Sequence, residues 1–268
     1  MAEMLSALRT PETGIEPLPK RPVLTVDITT GTFRQQVDSI IALTRSGVGA
    51  YVCCVNAHMT VEARDPEFAA VVKNADLATP DGMPVLNALR SRHRLEQERV
   101  AGNDLMPALL QRCADEGIAV FLYGGDPRTQ DLIVARAKRE LPSIRIAGRH
   151  APPFGPLEQL ELGAEAARIT TSGAGVVMVS LGCPKQERFM ALMKPLTTAT
   201  MVGLGGAFLL YAGIDKRAPK WMRDLSLEWL FRLALEPKRL WKRYLVTNSI
   251  FLWLKLTDSF KRNDRGAG

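Results

Sequence analysis

Gly175-Val176-Val177-Met178-Val179-Ser180-Leu181-Gly182-Cys183-Pro184-Lys185-Gln186-Glu187-Arg188-Phe189-Met190 is the stretch on which the fold turns. Its first half is a continuous apolar run, as expected of a strand covered on both faces of a parallel sheet. Gly182 and Pro184 break the run, and a helical pattern follows over Lys185–Met193. The same unit recurs on both sides. Ala50–Val55 precedes a helix-like Thr60–Asn74, Asp76–Thr79 precedes about Gly82–Arg92, and Arg99–Ala101 precedes Asp104–Glu116. Ile118–Tyr123 precedes Thr129–Glu140, Ile144–Ala147 precedes Leu157–Thr171, and Ala199–Leu204 is the last run. This alternation predicts an α/β fold: a Rossmann-like, mostly parallel sheet with helices on both faces.

The charge is unevenly placed. The 268 residues carry a net charge of +7. Residues 1–213 hold 22 basic and 22 acidic side chains, whereas residues 214–268 hold 13 and 6, so the whole excess lies in the C-terminal segment. That pattern speaks against a protein that coats nucleic acid and for a neutral body with a basic device at its end. Three segments follow: residues 1–25, rich in proline, as a flexible tail; residues 26–213 as the α/β domain; residues 214–268 as a basic amphipathic appendage.

Several classes drop out. The start, MAEMLSALRTPETG, lacks a basic region followed by an apolar stretch, so no signal peptide is expected. Leu245–Leu256 contains Thr247, Asn248, Ser249 and Lys255 and is too short and polar to span a bilayer. Cys53, Cys54, Cys113 and Cys183 show no C-x-x-C spacing and read as reduced cytoplasmic thiols. His58, His93 and His150 are too scattered for a metal signature. His58 reads as a polar residue near a strand end.

In a parallel sheet, ligands bind at the carboxyl ends of the strands. The residues after each run are Asn56, Thr79–Gly82, Gly102–Asp104, Gly124–Asp126, Gly182–Glu187 and Gly203–Gly206. Glycines admit a ligand close to the backbone and helix N-termini attract anions, so this edge is suited to phosphate or sugar. Asp81, in Thr79-Pro80-Asp81-Gly82, has two readings: a helix cap, or a carboxylate placed to take a proton from a sugar hydroxyl. Gly124 and Gly125 form either a tight turn or a phosphate-binding turn, and neither they nor Gly203-Leu204-Gly205-Gly206 make the dinucleotide pattern G-x-G-x-x-G. No P-loop pattern occurs. Lys185, Gln186 and Glu187 read as an exposed helix start, yet a cation opposes the helix dipole there unless an anion lies beside it. In the C-terminal segment, Trp241, Leu245, Phe251, Leu252, Trp253 and Leu256 stand among Lys238, Arg239, Lys242, Arg243, Lys255, Lys261 and Arg262. That segment reads as a core-capping helix or an interfacial one, and its two Trp favour an anionic membrane surface.

Seven stretches in order resemble the bacterial WecG/TagA/CpsF glycosyltransferases: VNAHM at 55–59, ADLATPDGMPV at 75–85, ERVAGNDL at 98–105, FLYGG at 121–125, LGCPKQERFM at 181–190, GLGGAF at 203–208, and RAPKWM…LEWLFRLALEPKRLWKRY at 217–244. The resemblance covers about residues 30–245. It implies a hexosyltransferase that moves a sugar from a UDP-sugar to a polyprenyl-diphosphate-linked saccharide, with inversion and without a metal or other cofactor. It also implies work on cell-envelope polysaccharide or exopolysaccharide, peripherally on the cytoplasmic membrane face. Asp81 would be the general base. Asn56 would lie in the substrate pocket, with Gly124 and Gly125 as further binding positions, and Arg99 would meet diphosphate oxygens bidentately. Gln186 would bind near the donor, with Lys185 and Glu187 as neighbours. Arg217, Arg232, Arg239 and Arg243 would face membrane and acceptor, with Trp241 and Trp253 at the membrane. A homo-oligomer is a further expectation, because the family includes oligomers. The chain departs from the family at Cys54, where Thr is frequent, and at Leu209, where Asp is frequent. Two other classes compete: a nucleotide-dependent oxidoreductase, and a module that binds nucleic acid through the basic, aromatic C-terminus.

Overall fold

The computed structural model describes residues 16–219, 221–222, 227–235 and 237–266. The chain enters through an antiparallel hairpin, β1 (Lys20–Val23) and β2 (Val26–Thr29). The hairpin begins inside the segment expected as a tail; residues 1–15 lie outside the described residues. The central sheet has six strands: β3 (Ala50–Val55), β4 (Leu77–Pro80), β5 (Ala119–Gly124), β6 (Arg145–His150), β7 (Val176–Ser180) and β8 (Thr200–Gly203). Their order is β4-β3-β8-β7-β5-β6, and every neighbouring pair is parallel. The chain starts in the sheet interior at β3, steps out to the β4 edge, and then crosses to fill the other side. All six carboxyl ends therefore point the same way, which gathers the polar junctions on one edge.

Alternate side chains of each strand enter two cores. Val52, Cys54, Val176 and Met178 pack with helices α1 (Phe33–Ser46), α5 (Gly102–Asp115), α6 (Pro127–Glu140) and α9 (Ala207–Tyr211). Tyr51, Cys53, Val55, Val177 and Val179 pack with α2 (Ala57–Glu62), α3 (Pro66–Lys73), α4 (Met83–His93), α7 (Leu162–Ser172) and α8 (Lys185–Met193). Both sheet faces are covered, and the period of two simply distributes apolar residues between two cores.

Local chemistry sets the differences from the sequence reading. The helix expected over Thr60–Asn74 is two helices. Pro66 cannot donate within a helix interior and instead opens α3, with Asp65 as the cap accepting from the Glu67 amide. Leu157–Thr171 divides into a short 3-10 turn at Leu157–Gln159 and then α7. The α1 helix was not anticipated, although Thr32 and Gln35 form a reciprocal capping box at its start. Arg99–Ala101 joins no sheet; Val100 is instead tied to the end of β4, donating to the Pro80 carbonyl at 3.0 Å and accepting from the Thr79 hydroxyl at 2.9 Å.

Beyond α9 the described residues include two further helices, α10 (Glu228–Leu235) and α11 (Pro237–Gly266). In α11 Phe251 and Thr247 are buried, Phe251 within the α2–α4 core, while Trp241, Leu245, Leu252 and Trp253 are exposed. Among the described residues, no helix is long and apolar enough to cross a membrane.

Candidate active site

Register alone brings the first two site residues together. Val55 of β3 pairs with Pro80 of β4, so the next residues, Asn56 and Asp81, leave the sheet side by side. The Asp81 amide donates to the Val55 carbonyl at 3.0 Å, which fixes the turn. Helix α4 starts at Met83 with Gly82 as its N-cap and without a side-chain cap bond, so Asp81 is not a helix cap. Its carboxyl accepts from the Gly102 amide, at the first turn of α5, and from the Asn56 side chain. Asn56 can serve it in only one orientation. Its oxygen caps α2 by accepting from the Met59 amide at 3.1 Å, which leaves the amide nitrogen for Asp81.

The Asp81 carboxyl is pushed up to about 6, chiefly because burial disfavours its charged form. Arg99, the Gly102 amide and Asn56 oppose that shift, and the neighbouring Glu228 carboxylate adds to it. A carboxyl poised near 6 is ionised at neutral pH yet remains a competent proton acceptor. Cys54, one of the two departures noted in the sequence, lies buried near Asp81. Burial pushes its thiol up, so it stays a neutral wall.

Arg99 is kept in the neighbourhood of this carboxyl, close enough for its charge to act on it, because its loop is held at several points. The buried Gln97 side chain accepts from the Gly31 amide at 2.9 Å and donates to the carbonyls of Gly31 at 2.6 Å and Glu98 at 2.9 Å. The Arg90 guanidinium donates to the Gln97 carbonyl at 2.9 Å. The Arg99 guanidinium then meets Glu228 at 2.9 Å and Asp104 at 3.3 Å. Asn103 also donates to Glu228, at 3.3 Å, and Arg217 pairs with Asp104. Gln97, Asn103, Asp104 and Glu228 were not singled out as site residues by the sequence reading. The signals were nonetheless present, Asn103 and Asp104 in a junction after a run and Glu228 in LEWLF.

Gln186 lies across the end of β8. A Cβ on Gly203 would stand 3.1 Å from its nitrogen, and one on Gly205 would stand 3.4 Å from its oxygen. Gln186 donates to Glu187 at 2.6 Å, and its own oxygen has no hydrogen-bond partner. The helix start is not exposed as expected: Glu187 is wholly buried and Gln186 is 5% exposed. Burial raises the Glu187 carboxyl to about 7, against the bonds from Gln186 and Cys183. The Lys185 ammonium donates to the Gly155 carbonyl at 2.6 Å, tying the loop after β6 to the helix start. Gly124 and Gly125 sit at the end of β5, beside Ser180 of β7. A Cβ on Gly124 would stand 2.3 Å from the Ser180 carbonyl oxygen, and its φ of +87° also requires glycine.

The remaining positions are spread out. His58 lies in the first turn of α2, 3.7 Å from Glu62. Leu209 lies within α9. Trp241 and Trp253 are exposed on α11. The side chains of Arg232, Arg239 and Arg243 lie outside the described residues. Among the described residues, no three His, Cys, Asp or Glu side chains gather as a metal site.

The family model of the WecG/TagA/CpsF glycosyl transferases matches residues 21–265, nearly the whole chain. That match sets aside the oxidoreductase and nucleic-acid readings. A parallel α/β sheet whose carboxyl edge carries Asp81 and Arg99, matched over that length, makes this chain a member of the WecG/TagA/CpsF glycosyltransferase family, acting on a sugar donor and an acceptor.

Proposed function

We propose that the protein transfers a hexose-type sugar from a UDP-sugar to a polyprenyl-diphosphate-linked saccharide in the assembly of bacterial cell-surface polysaccharide or exopolysaccharide. The observation that carries this reading is the Asp81 carboxyl: it does not cap α4, the helix that follows it, it stands at the carboxyl edge, and burial pushes it up to about 6 with Arg99 nearby. In the reaction the acceptor hydroxyl oxygen forms a bond to the anomeric carbon as Asp81 takes its proton. The bond from that carbon to the UDP oxygen breaks, and UDP leaves with the electron pair, inverting the centre. Arg99 holds diphosphate oxygens, and the amides at the start of α5 add positive potential. The proposed transfer uses no metal: the Arg99 guanidinium and the α5 amides supply the positive potential that the leaving UDP needs. Asn56 positions Asp81, and Gln186 offers an unpaired acceptor to the donor. Gly124 and Gly125 let a ligand approach the backbone, while Lys185 and Glu187 shape the edge around Gln186.

The exposed Trp241, Leu245, Leu252 and Trp253, with the positive excess of residues 214–268, support a peripheral site at the cytoplasmic membrane face. Arg217, Arg232, Arg239 and Arg243 would face lipid and acceptor there, in a protein that forms homo-oligomers and binds no nucleic acid. The test is thermal unfolding with UDP, NADH or duplex DNA added. UDP alone should raise the Tm; a response to NADH or DNA with none to UDP would overturn the assignment.

A further inference from the structure

We infer that Glu228 is a tethered occupant of a diphosphate-binding subsite formed by Arg99, Asn103 and Arg217, which a substrate diphosphate must displace. The inference rests on the reading above for the identity of the substrate. Both oxygens of the Glu228 carboxylate are engaged, one by the Arg99 guanidinium at 2.9 Å and the other by the Asn103 amide nitrogen at 3.3 Å. A guanidinium and an amide holding two oxygens of one anion is also how a phosphate group is bound. The second guanidinium nitrogen of Arg99 is shared with Asp104, which Arg217 also contacts. Two arginines and an amide thus converge at the first turn of α5 and are filled, in this state, by the chain's own carboxylates. A small recess lined by Asn103, Gly206, Asp215, Lys216, Arg217 and Glu228 adjoins the group.

Glu228 is suited to leaving. Arg99, Asn103 and Asp104 belong to the body of the domain, whereas Glu228 opens the eight-residue helix α10, 129 residues further along the chain. Leu230 and Leu235 of that helix are 42% and 51% exposed while Phe231 and Leu233 are half-buried, so only part of its apolar surface is packed. A carboxylate carried on such an element competes with an incoming anion at a high local concentration and departs without unfolding the sheet.

The shared ligand chemistry is a diphosphate, which donor and acceptor both carry. The experiment is isothermal titration of UDP and, separately, of geranyl diphosphate into the full-length protein and its Glu228→Gln, Glu228→Asp and Asn103→Ala variants. E228Q should bind at least one of the two about tenfold more tightly, the factor carried by one charge-assisted hydrogen bond. E228D, one methylene shorter, should tighten less, and N103A should weaken the same ligand. Tightening confined to UDP places the donor at this subsite, and tightening confined to geranyl diphosphate places the acceptor there. Tightening for geranyl diphosphate with no UDP binding by any variant would keep the subsite and sink the UDP-sugar reading. Equal or weaker binding of both ligands by E228Q, like N103A, or no binding by any of the four proteins, would overturn the displacement itself.

Discussion

Replacing Asp81 by Asn keeps the shape of the side chain and removes its charge. In the folded protein the carboxyl is pushed up to about 6 from an ordinary 3.8. At 1.36 kcal/mol per pKa unit, holding it ionised costs folding up to about 3 kcal/mol. Asp81 is partly open to solvent, so screening brings this to roughly 1–2 kcal/mol. The sign follows from proton binding. Between about pH 4 and pH 6 the folded state holds the Asp81 proton more tightly than the unfolded chain, so wild-type stability falls as pH rises through that window and the full cost stands above it. Asn carries no charge at either end. It offers one acceptor oxygen where the carboxylate offers two, which removes about 1 kcal/mol at every pH. Asp81→Asn should therefore be mildly destabilising at pH 4 and neutral to mildly stabilising at pH 8. The difference between the two is roughly 1–2 kcal/mol, or about 2–6 °C in Tm. Over the same range transfer should fall by about 10²–10⁴-fold, while UDP binding persists. Wild-type kcat/KM should rise with pH through about 6 and then level off. Thermal unfolding at the two pH values, paired with rate measurements, decides the matter. A stability change that does not depend on pH would show that the carboxyl is not desolvated, and full activity would refute its role as the base.

Two further outcomes test the loop that carries Arg99 and the exposed face of α11. Gln97→Ala should destabilise the protein by about 1–2 kcal/mol by removing the partner of part-buried backbone groups at Gly31 and Glu98. Because it frees the Arg99 loop, it should also raise KM for the donor or acceptor more than it lowers kcat; unchanged kinetics would mean that Arg99 holds its place without Gln97. The pair Trp241→Ser and Trp253→Ser removes exposed aromatics without touching the core, so Tm should stay within about 2 °C while binding to anionic vesicles weakens several-fold. Unchanged sedimentation with such vesicles would remove α11 from the membrane contact.

The sheet was legible because its strands are chemically simple. Ala50–Val55 and Val176–Ser180 are apolar on both alternating sides, a pattern that only a doubly covered parallel sheet satisfies. The helix starts were legible where a cap or a proline marks them, as at Pro127 behind Asp126. The break at Pro66 was legible in principle and was outweighed by the apolar periodicity around it. The Asp81 position was visible as a junction, but the direction its carboxyl takes was not. That turned on whether its carboxyl faced the helix amides of α4 or the first turn of α5, a long-range matter.

The class of sheet, the edge on which its polar junctions gather, and the neutral body with a basic end could therefore be read from the chain alone. Each depends on local composition and period, which a chain carries whatever its partners. Folding in three dimensions was needed to set Asn56 beside Asp81, to bury Glu187 beneath Gln186, and to bring Arg99 to Glu228 across 129 residues of chain. Those facts depend on which electrostatic neighbours share a low-dielectric space. No periodicity encodes that, because the free energy of a buried charge is set by everything packed around it.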